Sequence, residues 1–361
     1  MVKKIGVITG GGDCPGLNAV LRAVVKTAVG EYGCEVIGFK DGYHGLVLND
    51  WVKLDFSTAS GILDRGGTIL GSSNRDNPFK FRVEENGEVK YVDKSDQVIE
   101  NIKSHGIEAM VLIGGDGTLT SARDFARKGL KVVGVPKTID NDLSGTDKTF
   151  GYMTAVDTAT EALDKLHTTA ESHHRIMVLE VMGRYAGWIA LESGIAGGAD
   201  MIMIPEISYD IKKIANKALE RRQAGKNFSI VVVAEGAKPN GGEMVVSQVV
   251  KDSPDPVRLG GIGHVVANKL SELTGIESRV TVLGHLQRGG RPNPFDRILS
   301  TRFGVAAVEF IKEEKFGMMV SLQGSKITSV SLEEAVGKLK TVPPDGELIR
   351  IAKSIGVEFG D

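Results

Sequence analysis

Two cysteines in 361 residues, Cys14 and Cys34, are too few for a disulfide framework, and no Cys/His cluster has zinc spacing. A chain of this kind is expected in a reducing cytoplasm. Apolar runs are short throughout. None approaches the ~18–20 residues of a membrane span, so no membrane partner is expected. The start, Met1-Val2-Lys3-Lys4 followed by Ile5 to Thr9, shares only its lysines with a secretory signal, because the apolar stretch runs straight into glycines. Charge of either sign is not in excess: 44 basic and 46 acidic residues leave a net charge of −2. A sequence-independent nucleic-acid binder carries a strong basic bias, so nucleic acid is excluded as a partner. A local basic pocket for an anionic metabolite is not.

Glycine is what the chain has in quantity, with 46 residues. The glycines cluster after short apolar runs, where a βα turn would fall, and short β-branched runs recur at Ile5 to Thr9, Ala109 to Ile113, Val132 to Val135, Ile176 to Val181, Ile230 to Ala234 and Val280 to Leu283. Continuous apolar runs of this length suit strands buried on both faces, as in parallel sheets. Helix-period segments lie between them, over Ala19 to Val29 and Tyr152 to Thr168. The pattern predicts an α/β protein of two Rossmann-like, doubly wound lobes with the active site in the cleft between them. Single cores stop growing at roughly 250–300 residues, which also favours two lobes. The expected division is 1–150 plus about 287–337 for one lobe, and 151–286 plus the C-terminal segment for the other. Phe79 to Asp96 reads as a hairpin or excursion, and Ser253-Pro254-Asp255-Pro256 and Pro292-Asn293-Pro294 read as loops.

In open α/β sheets ligands bind beyond the carboxyl ends of the strands, so the residues after each run carry the chemistry. Gly10-Gly11-Gly12, before a helix, lets backbone N–H groups approach an anion, although a tight structural turn would use the same glycines. Gly114-Gly115-Asp116-Gly117-Thr118 embeds a carboxylate in a glycine nest, as a Mg²⁺ ligand beside a phosphate chain would require; an ordinary helix cap is the alternative. Pro136-Lys137-Thr138-Ile139-Asp140-Asn141-Asp142 sets two carboxylates one residue apart beside a lysine, which repel unless a cation or substrate intervenes. Asp140 is a candidate general base, with a solvated capping role as the alternative. Met182-Gly183-Arg184 places an arginine at an expected helix start, unfavourable for the macrodipole without an anion. Glu235 suits sugar hydroxyls or an exposed loop, and His285 and Arg288 suit an anion. Together these turns hold the inventory for transferring a phosphoryl group to a polyol phosphate.

In this order across most of the first 300 residues, the segments Gly10 to Asn18, Asp41-Gly42-Tyr43, Arg65 to Thr68, Gly114 to Thr118, Pro136 to Asp142, Val181 to Gly187, Glu235 and Val282 to Gly290 resemble the 6-phosphofructokinases. The GGDGT turn alone is shared with NAD and diacylglycerol kinases; the segments at 136–142 and 284–290 argue against those. A nucleotide-sensing protein that kept the fold should have lost Asp116 or Asp140, and both are present. The resemblance implies Mg²⁺-dependent transfer of the ATP γ-phosphoryl group to the C1 hydroxyl of fructose 6-phosphate. It implies that Gly12, Arg75, Asp76, Gly115, Asp116, Gly117 and Thr118 serve the donor, with Asp116 as metal ligand. Asp140 is then the base, flanked by Thr138, Ile139 and Asp142, with Arg184 beside the transferred group. Met182, Gly183, Arg184 and Glu235 bind the sugar phosphate, and Arg175, Arg279, His285 and Arg288 hold its 6-phosphate. In the family the arginines matching Arg175 and Arg279 come from a neighbouring subunit, so a homo-oligomer, dimer or tetramer, is implied.

Two positions bear on the donor. Gly117 is similar to the ATP enzymes, since pyrophosphate enzymes generally carry aspartate there, which would set negative charge where an α-phosphate lies. Lys137 departs from the common bacterial glycine and is similar both to pyrophosphate enzymes and to a mixed branch that uses ATP. A clash excludes a ligand whereas an added cation does not, so ATP is expected, with pyrophosphate-dependent transfer as the alternative. His167 stands where the family effector site has arginine, and the loop Ala224 to Asn227 carries one lysine. Control by ADP or phosphoenolpyruvate is therefore not expected.

Overall fold

The protein is described from a computed structural model covering residues 2–85, 87–249 and 257–361. The loop expected at Ser253 to Pro256 lies outside the described residues. The chain forms two compact units: residues 1–139, 143–153 and 288–338, and residues 140–142, 154–287 and 339–361. The segment Asp140–Asp142, on the first-lobe side of the expected division, groups with the second unit.

The first unit is built on a seven-stranded sheet. Its strands are β1 (Lys4–Thr9), β2 (Glu35–Phe39), β3 (Trp51–Leu54), β6 (Ala109–Gly114), β7 (Val132–Pro136), β14 (Met318–Gln323) and β15 (Lys326–Ser331). β4 (Phe81–Glu85) and β5 (Glu88–Val92) form a separate antiparallel hairpin within the stretch read as a hairpin or excursion. The sheet order is β15-β14-β7-β6-β1-β2-β3, with five parallel central strands and an antiparallel strand at each edge. From β1 the chain goes to one side for β2 and to the other for β6. The switch point therefore falls between β1 and β6, where the two glycine turns emerge. β1, β6 and β7 are buried almost from end to end, which is why their sequences read as unbroken apolar runs. Leu119 and Phe125 of the helix Asp116–Arg127 join Ile8, Leu112 and Val132 in one core.

The helices Leu17–Gly30 and Pro294–Lys312 pack on each other at close range. A Cβ at Gly304 would lie 2.6 Å from the Val20 carbonyl oxygen, so this contact accepts no side chain. Pro292-Asn293-Pro294 is not only a loop but a helix start. Pro294 opens the helix, and the Asn293 carboxamide accepts from the Asp296 N–H at 2.8 Å.

The second unit holds β8 (Ile176–Val181), β9 (Met201–Met203), β10 (Ser229–Ala234) and β13 (Ser278–Val282) in the all-parallel order β13-β8-β10-β9. β13 starts earlier than its apolar residues suggested and ends before Leu283. It is an edge strand, half exposed, so its burial pattern does not mark its ends. β11 (Val246–Val249) and β12 (Val257–Leu259) pair antiparallel as a separate two-stranded sheet. Near the C-terminus Glu358 bridges Met201 and extends the β9 edge. Ile176, Val178, Val231 and Val233 share a core with Val266 and Leu270 of the helix Ile262–Thr274. No helix among the described residues is long and apolar enough to cross a membrane.

Candidate functional site

In the first unit three loops meet at the switch point. The Gly10 N–H donates to the Ile113 carbonyl at 2.8 Å, and the Gly11 N–H to the Ser73 carbonyl at 3.0 Å. The Ser72 hydroxyl donates to the Gly11 carbonyl. Gly10 and Gly114 are glycines because Thr118 lies over them: an added Cβ would stand 2.7 and 2.5 Å from its Oγ1. The Tyr43 hydroxyl holds the Thr118 carbonyl at 2.8 Å. Neither the helix Leu17–Gly30 nor the helix Asp116–Arg127 has a side-chain cap, and an uncapped helix N-terminus presents N–H groups and a partial positive charge to an anion.

Asp116 opens the second of these helices, and its Oδ1 accepts from the Gly337 N–H at 3.3 Å. A Cβ built at Gly117 meets nothing within 4 Å among the described residues, so the glycine faces open space. Lys137 is buried, and its ammonium donates to the Gly12 carbonyl. Arg288 reaches the same loop: its guanidinium donates to the Asp13 carbonyl at 3.3 Å, and a Cβ at Gly12 would stand 2.4 Å from its Nη1. Arg75 is exposed, and its N–H donates to the Ser73 hydroxyl at 3.2 Å. Asp76 accepts from that hydroxyl and faces His44 Nδ1 at 3.4 Å. Thr138 gives its carbonyl to the Thr149 hydroxyl at 2.7 Å, and Ile139 is buried. Cys14 follows the glycines, but its thiol donates to the Phe150 carbonyl at 3.6 Å, and burial pushes its pKa up to about 12. It is no nucleophile at neutral pH.

In the second unit the ends of β8, β10 and β13 converge. Met182, Glu235 and His285 line a cleft of about 280 Å³ together with Glu180, Gly260 and Gly261. Gln287, fully buried, accepts from the Met182 N–H at 3.2 Å and donates to the Gly284 carbonyl at 3.1 Å. Gly183 has φ 135°, and Gly236 is required because a Cβ there would sit 1.9 Å from the Arg184 carbonyl. The expected helix start at Arg184 is corrected: the helix is Trp188–Ala196, capped by Gly187, and Arg184 lies in the turn before it, its guanidinium 5.6 Å from the Tyr185 ring centre. The macrodipole argument therefore does not apply to Arg184. Asp140 is half-buried, and Asn141 beside it has φ 52°.

Arg175 and Arg279 stand at the amino ends of β8 and β13. Arg175 directly precedes β8, whereas Met182 directly follows it. At ~3.3 Å per residue the strand separates them by roughly 20 Å, so Arg175 starts from the end of β8 away from the cleft that Met182 lines. The two arginines share Glu277: Arg175 Nε lies 2.8 Å from Oε2, Arg279 contacts Oε1, and hydrogen bonding from Arg175 holds the carboxyl below its usual range.

Two acids escape motif reading. Glu180 is buried, and its carboxylate accepts from the Gly261 and Gly263 N–H groups at 3.1 and 2.8 Å, fixing the start of the helix behind the cleft. A charged residue inside the run Ile176 to Val181 is a readable signal for such a role. Glu206 accepts from Gly187 at 3.0 and 3.1 Å and from Val342 at 2.7 Å, and burial raises its pKa. No sequence pattern marks it.

Two doubly wound units, one with glycine turns at its switch point and one with an acid, a histidine and an arginine turn at its strand ends, define an α/β protein suited to phosphorylated ligands. The sequence pattern of the family described as Phosphofructokinase matches residues 4–311. An ATP-dependent 6-phosphofructokinase 2 of Clostridium perfringens is 64% identical over 100% of this chain and 99% of its own length. At 51% identity stand an ATP-dependent 6-phosphofructokinase of Chloroflexus aurantiacus, over 99% of this chain and 98% of its own. At the same identity stands a pyrophosphate–fructose 6-phosphate 1-phosphotransferase of Streptomyces coelicolor, over 99% and 100%. A solved phosphofructokinase of Saccharomyces cerevisiae superposes with TM-score 0.78 and 33% identity over 98% of this chain, which spans 46% of that longer chain. The chain belongs to the phosphofructokinase family.

Proposed function

We propose that the protein is an ATP-dependent 6-phosphofructokinase that phosphorylates the C1 hydroxyl of fructose 6-phosphate. The observation that carries the donor is the open space at Gly117, at the head of an uncapped helix and next to Asp116. Asp140 takes the C1 hydroxyl proton as the sugar oxygen bonds to the γ-phosphorus and the bond to the departing ADP oxygen breaks. Gly12, Arg75, Asp76, Gly115, Gly117 and Thr118 hold the donor. Met182, Gly183, Arg184, Glu235, His285 and Arg288 hold the sugar phosphate, while Thr138, Ile139 and Asp142 flank the base.

Among the described residues no group of three His, Cys, Asp or Glu side chains could hold a metal ion. Asp116 offers one carboxylate, and Mg²⁺ normally takes one or two together with phosphate oxygens and water. The residues thus suit Mg²⁺ that arrives with its nucleotide, and when bound it would offset charge on the phosphoryl oxygens.

Lys137 favours a second reading, since an ammonium against the Gly12 carbonyl could serve pyrophosphate as well. One experiment separates the two: product formation at fixed fructose 6-phosphate with either ATP or pyrophosphate. Turnover with ATP is expected, and turnover with pyrophosphate alone overturns the donor assignment.

The place of Arg175 at the end of β8 away from the cleft, with Arg279 held beside it on Glu277, supports a homo-oligomer in which each subunit lends them to its neighbour's 6-phosphate site. Arg175→Ala and Asp140→Ser proteins should each be nearly inactive alone. After subunit exchange in an equal mixture of dimers, about a quarter of wild-type turnover should return, because mixed dimers regain one intact site. Absence of any recovery, with exchange demonstrated by native mass, would leave both arginines serving their own chain.

A further inference from the structure

The geometry points to Lys340 as a positioning residue for the Asp140 carboxylate, an inference that rests on the reading of Asp140 as the base. Lys340 is remote in sequence from every motif, in the C-terminal segment that belongs to the second unit. Its ammonium donates to the Asn141 side-chain oxygen at 2.9 Å. Its N–H donates to the Asp142 carbonyl at 2.8 Å. Its carbonyl accepts from Trp188 Nε1 at 2.9 Å, and its ammonium also lies 5.9 Å from the Trp188 ring centre. One residue therefore grips both residues that follow Asp140 and ties them to the helix Trp188–Ala196.

The grip matters because of Asn141. Its φ of 52° lies in the left-handed region, which Asn tolerates better than most residues with a side chain, and the Lys340 ammonium anchors its amide there. Asn141 is 2% exposed, so water does not compete for its amide. The turn it makes sets the direction of the peptide that carries the Asp140 side chain. Two residues beyond Lys340, the Val342 N–H donates to Glu206, which also receives the Gly187 N–H. The C-terminal segment thus joins the Asp140 loop to the loop of Arg184 through hydrogen bonds inside one unit.

Loss of the ammonium should let the Asn141 peptide rotate and the carboxylate drift. A displacement near 1 Å costs about 10²-fold in rate without any contact to substrate being lost. Lys340→Met keeps the stem and both main-chain bonds. Its kcat should fall by about 10-fold to 10²-fold, with KM for fructose 6-phosphate within about twofold and the melting temperature little changed. Lys340→Arg should recover part of the loss. Asn141→Gly keeps the left-handed turn but not the amide; it should lower kcat alike, and Lys340→Met should then add little. If Lys340→Met proves unstable, Asn141→Gly carries the test alone. The positioning role is overturned if kcat stays within about twofold of wild type, or if the two losses multiply in full. Asp140→Ser, run alongside, keeps the readings apart. Retained turnover in that variant removes the base itself, whereas lost turnover with a normal Lys340→Met enzyme removes only the positioning role.

Discussion

Asp140→Ser should lower kcat by ~10²–10⁴ while binding of fructose 6-phosphate stays near normal. That range corresponds to about 2.7–5.5 kcal/mol of transition-state stabilisation. The hydroxyl of serine cannot accept the C1 proton at neutral pH, so the sugar oxygen must attack before it is deprotonated. The ground-state complex loses little, because the proposed sugar-phosphate residues Met182, Arg184, Glu235 and Arg288 remain. Steady-state kinetics with direct titration of the sugar phosphate checks the split. Binding and turnover falling by the same factor would mean that Asp140 holds substrate rather than moving a proton.

The second large effect is expected at Gly117→Asp. The backbone permits it: the new side chain would enter open space, so the melting temperature should stay near wild type. The ligand does not. Like charges 4 Å apart repel by ~1 kcal/mol in bulk water and by ~4 kcal/mol at an effective dielectric of about 20. kcat/KM for ATP should therefore fall by about 10²-fold, with fructose 6-phosphate affinity retained. Pyrophosphate has no α-phosphate, and turnover with it should not fall. Unchanged ATP kinetics in a folded variant would put the α-phosphate elsewhere.

What the sequence makes legible follows from burial. β1, β6, β7, β8 and β10 are covered on both faces, so they read as largely apolar runs, and glycines soon follow all of them but β7. β3 and β15 are half-exposed edge strands without an unbroken apolar run, and β9, though apolar and buried, is only three residues long. The helix after Arg184 starts late for a local reason. Gly183 takes a conformation outside the helical region, and Glu206 holds the Gly187 N–H at the actual start. The candidate site divides in the same way. Residues of the strand-end turns, such as Asp116, Asp140 and Glu235, are visible because each follows an apolar run. Lys340 and Glu206 are not, because their partners lie far away in sequence, the Asn141 side chain for Lys340 and the Gly187 and Val342 peptide N–H groups for Glu206, and such contacts leave no local pattern.

The buried thiol beside the glycine turn has a consequence for life under oxidative stress. A cysteine is attacked by peroxide or alkylating agents where its thiolate is exposed in an electropositive setting. Here the sulfur of Cys14 points away into the interior, bonded to the Phe150 carbonyl, with its pKa pushed up to about 12. Burial disfavours the thiolate and keeps the sulfur from solvent, which disfavours the first step toward sulfenic acid. Cys14 is therefore not a point at which peroxide or an alkylating agent would inactivate the folded protein.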